Sequence, residues 1–209
     1  VVGARMVARE AGFTQVVTFD MGGTSTDVSL VDGDLSTTNE SKVGDFPMRL
    51  PVLDIHTVGA GGGSIAHIDA GGALRVGPRS AGARPGPACY GEGTDLTVTD
   101  ANLLLGRLDP EFFLGGATRL RRDLAEAAIQ ERVAAPLGLT LHAAAAAIHE
   151  VINSNTASGT DVAFAKRGYD PRDFALCAAG GAAAVHAVRI MEELRIGTLI
   201  IPKVAPTYC

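Results

Sequence analysis

Two acidic residues flank a run of glycine and hydroxyl side chains between Asp20 and Val31, DMGGTSTDVSLV, the densest chemistry-bearing stretch of the sequence. These residue types suit an anion gripped by main-chain amides. Gly22 and Gly23 let the backbone approach phosphate oxygens with no Cβ in the way, and are free to take the positive φ that turns successive N–H groups toward one charge. Thr24, Ser25 and Thr26 add hydroxyl donors. Asp20 is placed to hold Mg²⁺ through water, because magnesium at a nucleotide takes few protein carboxylates and keeps several waters. Asp27 is placed to orient a second water. A plain hairpin turn would use the same residues, but two acids around one Gly/Thr/Ser loop favour the phosphate reading.

A second constellation follows at Asp54 and His56. Two residues apart on an extended segment, they face the same side, where a carboxylate and an imidazole can share a divalent metal that polarises a carbonyl or activates water. A metal site normally has three or four ligands, and only these two, with His67 beyond the glycine run, are evident. A turn-accepting aspartate beside a singly bonded histidine accounts for them better. Cys89 is a conceivable nucleophile, although no neighbour marks its thiolate as favoured, so buried packing is the expectation. Asp100 is read as the N-cap of a helix through Leu105. His142, His149 and His186 lie in or beside helical segments and are read as structural.

The elements that must position these groups follow from periodicity. Val2, Met6 and Val7 have helical spacing, with Gly12 as a stop. Val16 to Phe19 and Val28 to Val31 are β-prone runs on either side of the MGGTSTD loop, so the glycines close a strand-turn-strand unit. In a dinucleotide fingerprint they would open a helix instead. Asp32-Gly33 is a two-residue hairpin signal with Asp34 to Asn39 as the returning strand, making the first forty residues a meander. From Asp45 to Gly116 glycine and proline dominate, and ordered functional loops are expected there. Arg121 to Leu137 and Leu141 to Lys166 read as helices separated by Gly138. Phe174 to Ala178, Ala183 to Leu194 and Thr198 to Ile201 read as a β-α-β unit.

Composition bounds the partners. The 209 residues, 46% hydrophobic, suffice for one large domain or two small ones. Eighteen basic against 23 acidic residues leave a formal charge of −5 with no Lys/Arg cluster, which argues against a nucleic-acid partner. No apolar run approaches the roughly 20 residues of a membrane span and no signal-type segment opens the chain, so a cytoplasmic protein is expected. Three widely spaced cysteines, Cys89, Cys177 and Cys209, fit neither a disulfide framework nor a metal knuckle. A start at Val1 without methionine reads as an excised fragment.

Several segments together resemble the hydantoinase A/5-oxoprolinase family: Asp20 to Leu30, Asp54 to Ala66, Val76-Gly77-Pro78-Arg79-Ser80-Ala81-Gly82, Pro85-Gly86-Pro87-Ala88-Cys89-Tyr90 and Val98 to Asn102. The likeness covers nearly the whole chain, and its first segment is similar to the second phosphate loop of the actin, Hsp70 and sugar-kinase superfamily. It implies an α/β, actin-like (ribonuclease H-like) ATPase half. Residues 1–44 and 168–209 would form the core, 45–116 a glycine-rich insertion and 117–167 a helical segment. It also implies ATP and Mg²⁺ as cofactors, with a second divalent metal a further candidate. Gly180 and Gly181, in Ala178-Ala179-Gly180-Gly181-Ala182, become the counterpart of the adenosine motif, although Ala183 and Ala184 stand where glycine and proline are usual. The implied reaction is ATP-dependent opening of a cyclic amide, hydantoin or 5-oxoproline, with the amide oxygen phosphorylated or otherwise trapped. Asp27, Asp54 and His56 are the catalytic candidates, and a hydantoinase B-like subunit or domain is the expected partner. The ATP-binding subunit of an acetone carboxylase-like ketone carboxylase is the first alternative; His56 leans toward the hydantoinase or carboxylase side of the resemblance and away from oxoprolinase. A non-catalytic actin-like nucleotide switch is the second, and the glycine-rich insertion argues against it.

Overall fold

The run Gln15–Met21 is extended because its β-branched and aromatic residues fill a surface that is buried on both faces, with Val16, Val17, Thr18 and Phe19 all buried. The computed structural model describes residues 1–43, 46–203 and 205; Asp45, where the glycine-rich tract begins, and Cys209 lie outside the described residues. In chain order the elements are α1 (Val2–Glu10), β1 (Gln15–Met21), β2 (Thr26–Asp32), β3 (Asp34–Leu35), β4 (Thr37–Thr38), β5 (Ser41–Val43), β6 (Phe46–Met48), β7 (Val52–Leu53), β8 (His56–Val58), β9 (Ser64–Ile68) and β10 (Leu74–Ser80). There follow α2 (Val98–Leu104), α3 (Arg122–Ile129), α4 (Ala135–Leu137), α5 (Leu141–Arg167), β11 (Ala175–Ala179), α6 (Ala183–Leu194) and β12 (Thr198–Ile200). Two compact units divide these residues. The first takes Val1–Asp20, Thr26–Val58 and the chain from Ala157 onward, and the second takes Met21–Ser25 and Gly59–Thr156.

The first unit is a mixed sheet in the order β12-β11-β1-β2-β3, with β8 also paired to β2. β1, β11 and β12 are parallel, whereas β2 runs antiparallel to β3 and β8. The β11-α6-β12 segment is the expected β-α-β unit, and Val31 pairs Leu35 across the Asp32-Gly33 turn, where Gly33 takes φ 72°. The returning strand is shorter than expected. It ends at Leu35, and Thr37–Thr38 pairs instead with Val52–Leu53 in a separate ribbon. α1 also presents another face than its apolar spacing suggested. Ala4 and Ala8 are buried against Val16, Val31 and Cys177, while Val2 and Met6 are exposed. Small side chains let the helix lie close to the sheet, so backbone proximity decides the buried face.

The second unit carries more regular structure than its glycine and proline content suggested. β9 and β10 form a hairpin, and α2 follows on a reciprocal cap in which Thr97 is the N-cap. Asp100 is therefore the third helical residue and not the cap itself. Its Oδ2 accepts from the amide and hydroxyl of Thr97, both at 2.8 Å, and its Oδ1 accepts from the Cys89 amide at 2.7 Å. α3 runs through a π-helical stretch, Gln130–Ala134, into α4, which holds Pro136. Gly138, at φ 65°, ends α4 in the left-handed conformation, as expected of the glycine between the two helices. Among the described residues, no single helix is long and apolar enough to cross a membrane.

Candidate functional site

The segment Met21–Ser25 belongs to the second unit and is backed there by a second glycine run. Gly62 N donates to Gly22 O at 3.0 Å and Gly63 N to Gly23 O at 2.6 Å, so two glycine segments are laced through their main chains. A Cβ on Gly61 would stand 2.8 Å from Gly23 C, Gly23 O and Thr24 N, and one on Gly63 would stand 2.9 Å from Gly23 O. Glycine is required at both positions for this approach. Gly22 and Gly23 themselves have ordinary φ, which corrects the expectation that they turn through positive values. Their use is access: a Cβ on Gly23 would meet nothing within 4 Å. Gly22 N is engaged by Ser25 O at 3.1 Å, whereas the amides of Gly23, Thr24 and Ser25 have no acceptor among the described residues. Free amides on an exposed turn are the donor set an anion requires. Thr24 Oγ1 lies 3.3 Å from Ser80 Oγ, which fixes the loop's hydroxyl side.

In the first unit, Asp20, one residue before the end of β1, pairs in register with Ala179 at the end of β11, immediately before Gly180 and Gly181. The carboxylate and the glycine pair thus meet at the carboxyl ends of parallel strands, where open α/β sheets bind ligands. Gly180 takes φ 85° and its N–H donates to Ala205 O at 2.9 Å. Beyond it α6 begins at Ala183 with no side-chain cap, and Val185 N donates to Ala182 O at 3.2 Å. Thr26 is buried, and Asp27 accepts a 2.6 Å hydrogen bond from Thr57 Oγ1.

The register separates the remaining candidates. Asp27 lies opposite Thr57 and Val28 opposite His56, and successive strand residues alternate faces. Asp27 shares the face of Val31, which is packed under α1, and Asp20 shares it too through Val16. His56 is on the other face. There it joins Asp54, Glu40, Lys166 and Arg167 around a hollow of about 780 Å³. Arg167 Nε donates to Asp54 Oδ2 at 3.0 Å, with its Nη2 on the same oxygen. No group of three or more His, Cys, Asp or Glu stands at metal-holding spacing among the described residues. Asp54 and His56 do share a side, as their spacing required, but a guanidinium and not a third ligand completes their surroundings.

Cys89 is fully buried, and burial followed by the Asp100 carboxylate drives its thiol far above the ordinary range, so it is no nucleophile. Burial likewise pushes Cys177 up to about 11. His149 is buried between Arg107, whose Nη1 lies 2.5 Å from its Nε2, and Asn102, whose Oδ1 lies 3.0 Å from its Nδ1. Arginine can only donate, so Nε2 accepts and Nδ1 carries the proton, a structural role for a neutral imidazole.

A second hollow, of about 570 Å³, lies wholly within the second unit, and Gly23 and Thr24 form part of its wall together with Arg84, Tyr90 and Glu92. Sequence reasoning did not single out these last three as site residues, since nothing in spacing alone brings Arg84 to the Gly23–Thr24 turn.

The sequence profile of the hydantoinase/oxoprolinase family matches residues 1–208. The chain belongs to the hydantoinase/oxoprolinase family. Among its relatives is the caprolactamase alpha subunit of Pseudomonas jessenii, 50% identical over 207 residues, which make up 97% of this chain and 30% of that protein. The crystal structure of ATP-dependent caprolactamase from the same organism matches with a TM-score of 0.86 at 49% identity, over 97% of this chain and 30% of that one. A nucleotide-free acetone carboxylase matches with a TM-score of 0.90 at 33% identity, over 99% of this chain and 30% of that one. The chain therefore spans about a third of the length of these relatives. The α/β fold with a central mixed sheet is that of its family.

Proposed function

We propose that this chain supplies part of the Mg-ATP site of an ATP-dependent hydrolase that opens a cyclic amide. The observation that carries this reading is the phosphate hairpin: free amides at Gly23, Thr24 and Ser25, an open approach at Gly23, and a second glycine run laced behind it. Asp20, at the carboxyl end of β1, is the residue to hold Mg²⁺ through water, consistent with a metal that takes few protein carboxylates. Gly180, Gly181 and the uncapped start of α6 suit the adenosine end. Asp27, held by Thr57, orients water on the same face as Asp20. Bound Mg-ATP would supply an electrophilic phosphoryl group to the amide oxygen, which makes the carbonyl carbon attackable by water, so that the carbon–nitrogen bond breaks and the ring nitrogen leaves as the amine. The chain's own residues hold the phosphates by backbone donors, which cost no reorganisation during reaction.

The name of a relative that is 50% identical over 207 residues, a caprolactamase alpha subunit, supports a lactam over other carbonyls. Like that relative's alpha subunit, this chain is proposed to work with a second subunit. The likeness to acetone carboxylase favours a second reading, ATP-dependent activation of a ketone with bicarbonate. ATP turnover by the full-length protein with its partner subunit separates the two. Stimulation by caprolactam, a hydantoin or 5-oxoproline, lost in Asp20→Ala, supports the hydrolase. Stimulation only by acetone with bicarbonate replaces it with the carboxylase, and none by either class refutes both.

A further inference from the structure

The hollow that Gly23 and Thr24 help to line carries two kinds of wall residue. Tyr90 and Phe113, their rings 5.6 Å apart, and Leu114 are apolar. Arg84 and Glu92 are charged and exposed, and neither has a hydrogen-bond or ion-pair partner among the described residues. An arginine with no carboxylate and a glutamate with no cation, in one hollow, leave a donor-only and an acceptor-only group unspent.

Leu114 is the anomaly. Its φ is 51°, in the left-handed region where a β-carbon is strained, and it precedes Gly115 and Gly116, at φ 70° and 88°. Burial does not explain leucine there, because the side chain is 71% exposed. The turn is well tied, with Gly116 N donating to Phe113 O at 3.1 Å and Thr118 N to the same oxygen at 3.3 Å. A strained, exposed apolar residue at the rim of a hollow is where a ligand contact is expected.

From these features we infer that this hollow seats the cyclic amide, its hydrocarbon ring against Leu114, Phe113 and Tyr90 and its amide edge toward Arg84 and Glu92. The inference rests on the cyclic-amide reading and deepens it by assigning specificity-determining residues. A ring amide presents one carbonyl acceptor and one N–H donor, which match a guanidinium and a carboxylate. Gly23 and Thr24 on the wall of the same hollow place the phosphate-binding amides beside the amide oxygen that must receive the phosphoryl group. Leu114 then selects ring size, and Arg84 and Glu92 select an amide over a carbonyl without N–H.

The test uses the full-length protein with its partner subunit and lactams of five-, six- and seven-membered rings, reading ATP turnover stimulated by each. Leu114→Gly is expected to raise the KM for the best lactam about tenfold and to flatten the preference for ring size, the scale of one or two methylenes in an apolar pocket. The KM for ATP should stay within about twofold, since the nucleotide is not what Leu114 contacts. Because glycine is at ease at this φ, the melting temperature should not fall, which separates a ligand contact from a structural one. Arg84→Gln and Glu92→Gln should each lower kcat/KM for the lactam about tenfold or more. Unchanged lactam kinetics in all three variants, with turnover still abolished in Asp20→Ala, would overturn the inference and leave the proposed function standing. A rise in KM for ATP alone would assign the hollow to nucleotide and overturn it too. Failure of every lactam to stimulate the wild type would overturn the cyclic-amide reading, and this inference with it.

Discussion

Gly61→Ala places a methyl carbon 2.8 Å from three backbone atoms of the proposed phosphate loop, Gly23 C, Gly23 O and Thr24 N. None belongs to a flexible side chain, so the loop or its glycine backing must move by about 0.6 Å to restore an ordinary contact near 3.4 Å. The hydrogen bonds from Gly62 N to Gly22 O and from Gly63 N to Gly23 O transmit that shift to the amides of Gly23 and Thr24. Misplacing reacting groups by 1 Å costs about 10²-fold, so a loss of roughly 10- to 100-fold in ATP turnover is expected. Overpacking of this kind destabilises by about 1–3 kcal/mol, a modest fall in melting temperature that leaves the protein folded. The assay is steady-state ATP hydrolysis by the full-length protein with its best amide, beside a thermal melt of the same sample. Turnover and KM for ATP equal to wild type would refute the argument that this glycine run positions the phosphate loop.

Gly23→Val, by contrast, projects into open space, so the melting temperature should hold while nucleotide binding by calorimetry falls by about 10²-fold, as the branched side chain blocks the phosphate approach. Asp100→Ala strands the Cys89 amide and the Thr97 amide and hydroxyl, all buried, and is expected to cost about 3 kcal/mol or more in a denaturant titration. The high thiol value of Cys89 means that native protein at pH 8 should leave it unmodified by a disulfide reagent until the fold is opened, as mass spectrometry can check. The fork from Arg172, led by its side-chain hydrogen bonds, lowers the Asp170 carboxyl to about 2. A depressed folded-state value means that the pair's contribution is complete above the unfolded carboxyl's value and is lost as pH falls toward about 2. An NMR titration should place the midpoint there, and Arg172→Ala should return it toward the ordinary range.

The sequence alone determined the pieces whose cause is local. Residues 15–21 and 26–32 are strands because their apolar and β-branched side chains fill buried positions, and the β-α-β unit from Ala175 to Ile200 follows from periodicity and its glycines. Gly138 ends a helix by its own backbone freedom, wherever the chain then goes. The run of glycine and hydroxyl residues after Asp20 was legible as a turn between two strands, and the phosphate role proposed for it is one its own main chain would carry. What tertiary structure decided depends on residues distant in sequence. Only the register of β2 with β8 puts Asp27 and His56 on opposite faces, dividing residues that the family resemblance had grouped as catalytic candidates. Only the closeness of α1 to its sheet buries Ala4 and Ala8 in place of Val2 and Met6. Arg84, Tyr90, Glu92 and Leu114 come to one hollow with Gly23 because hydrogen bonds from Gly62 and Gly63, some forty residues on, lace the second glycine run to the first. Contacts of that range have no period in the sequence, since they are set by how closely two backbones can approach once both have lost their side chains.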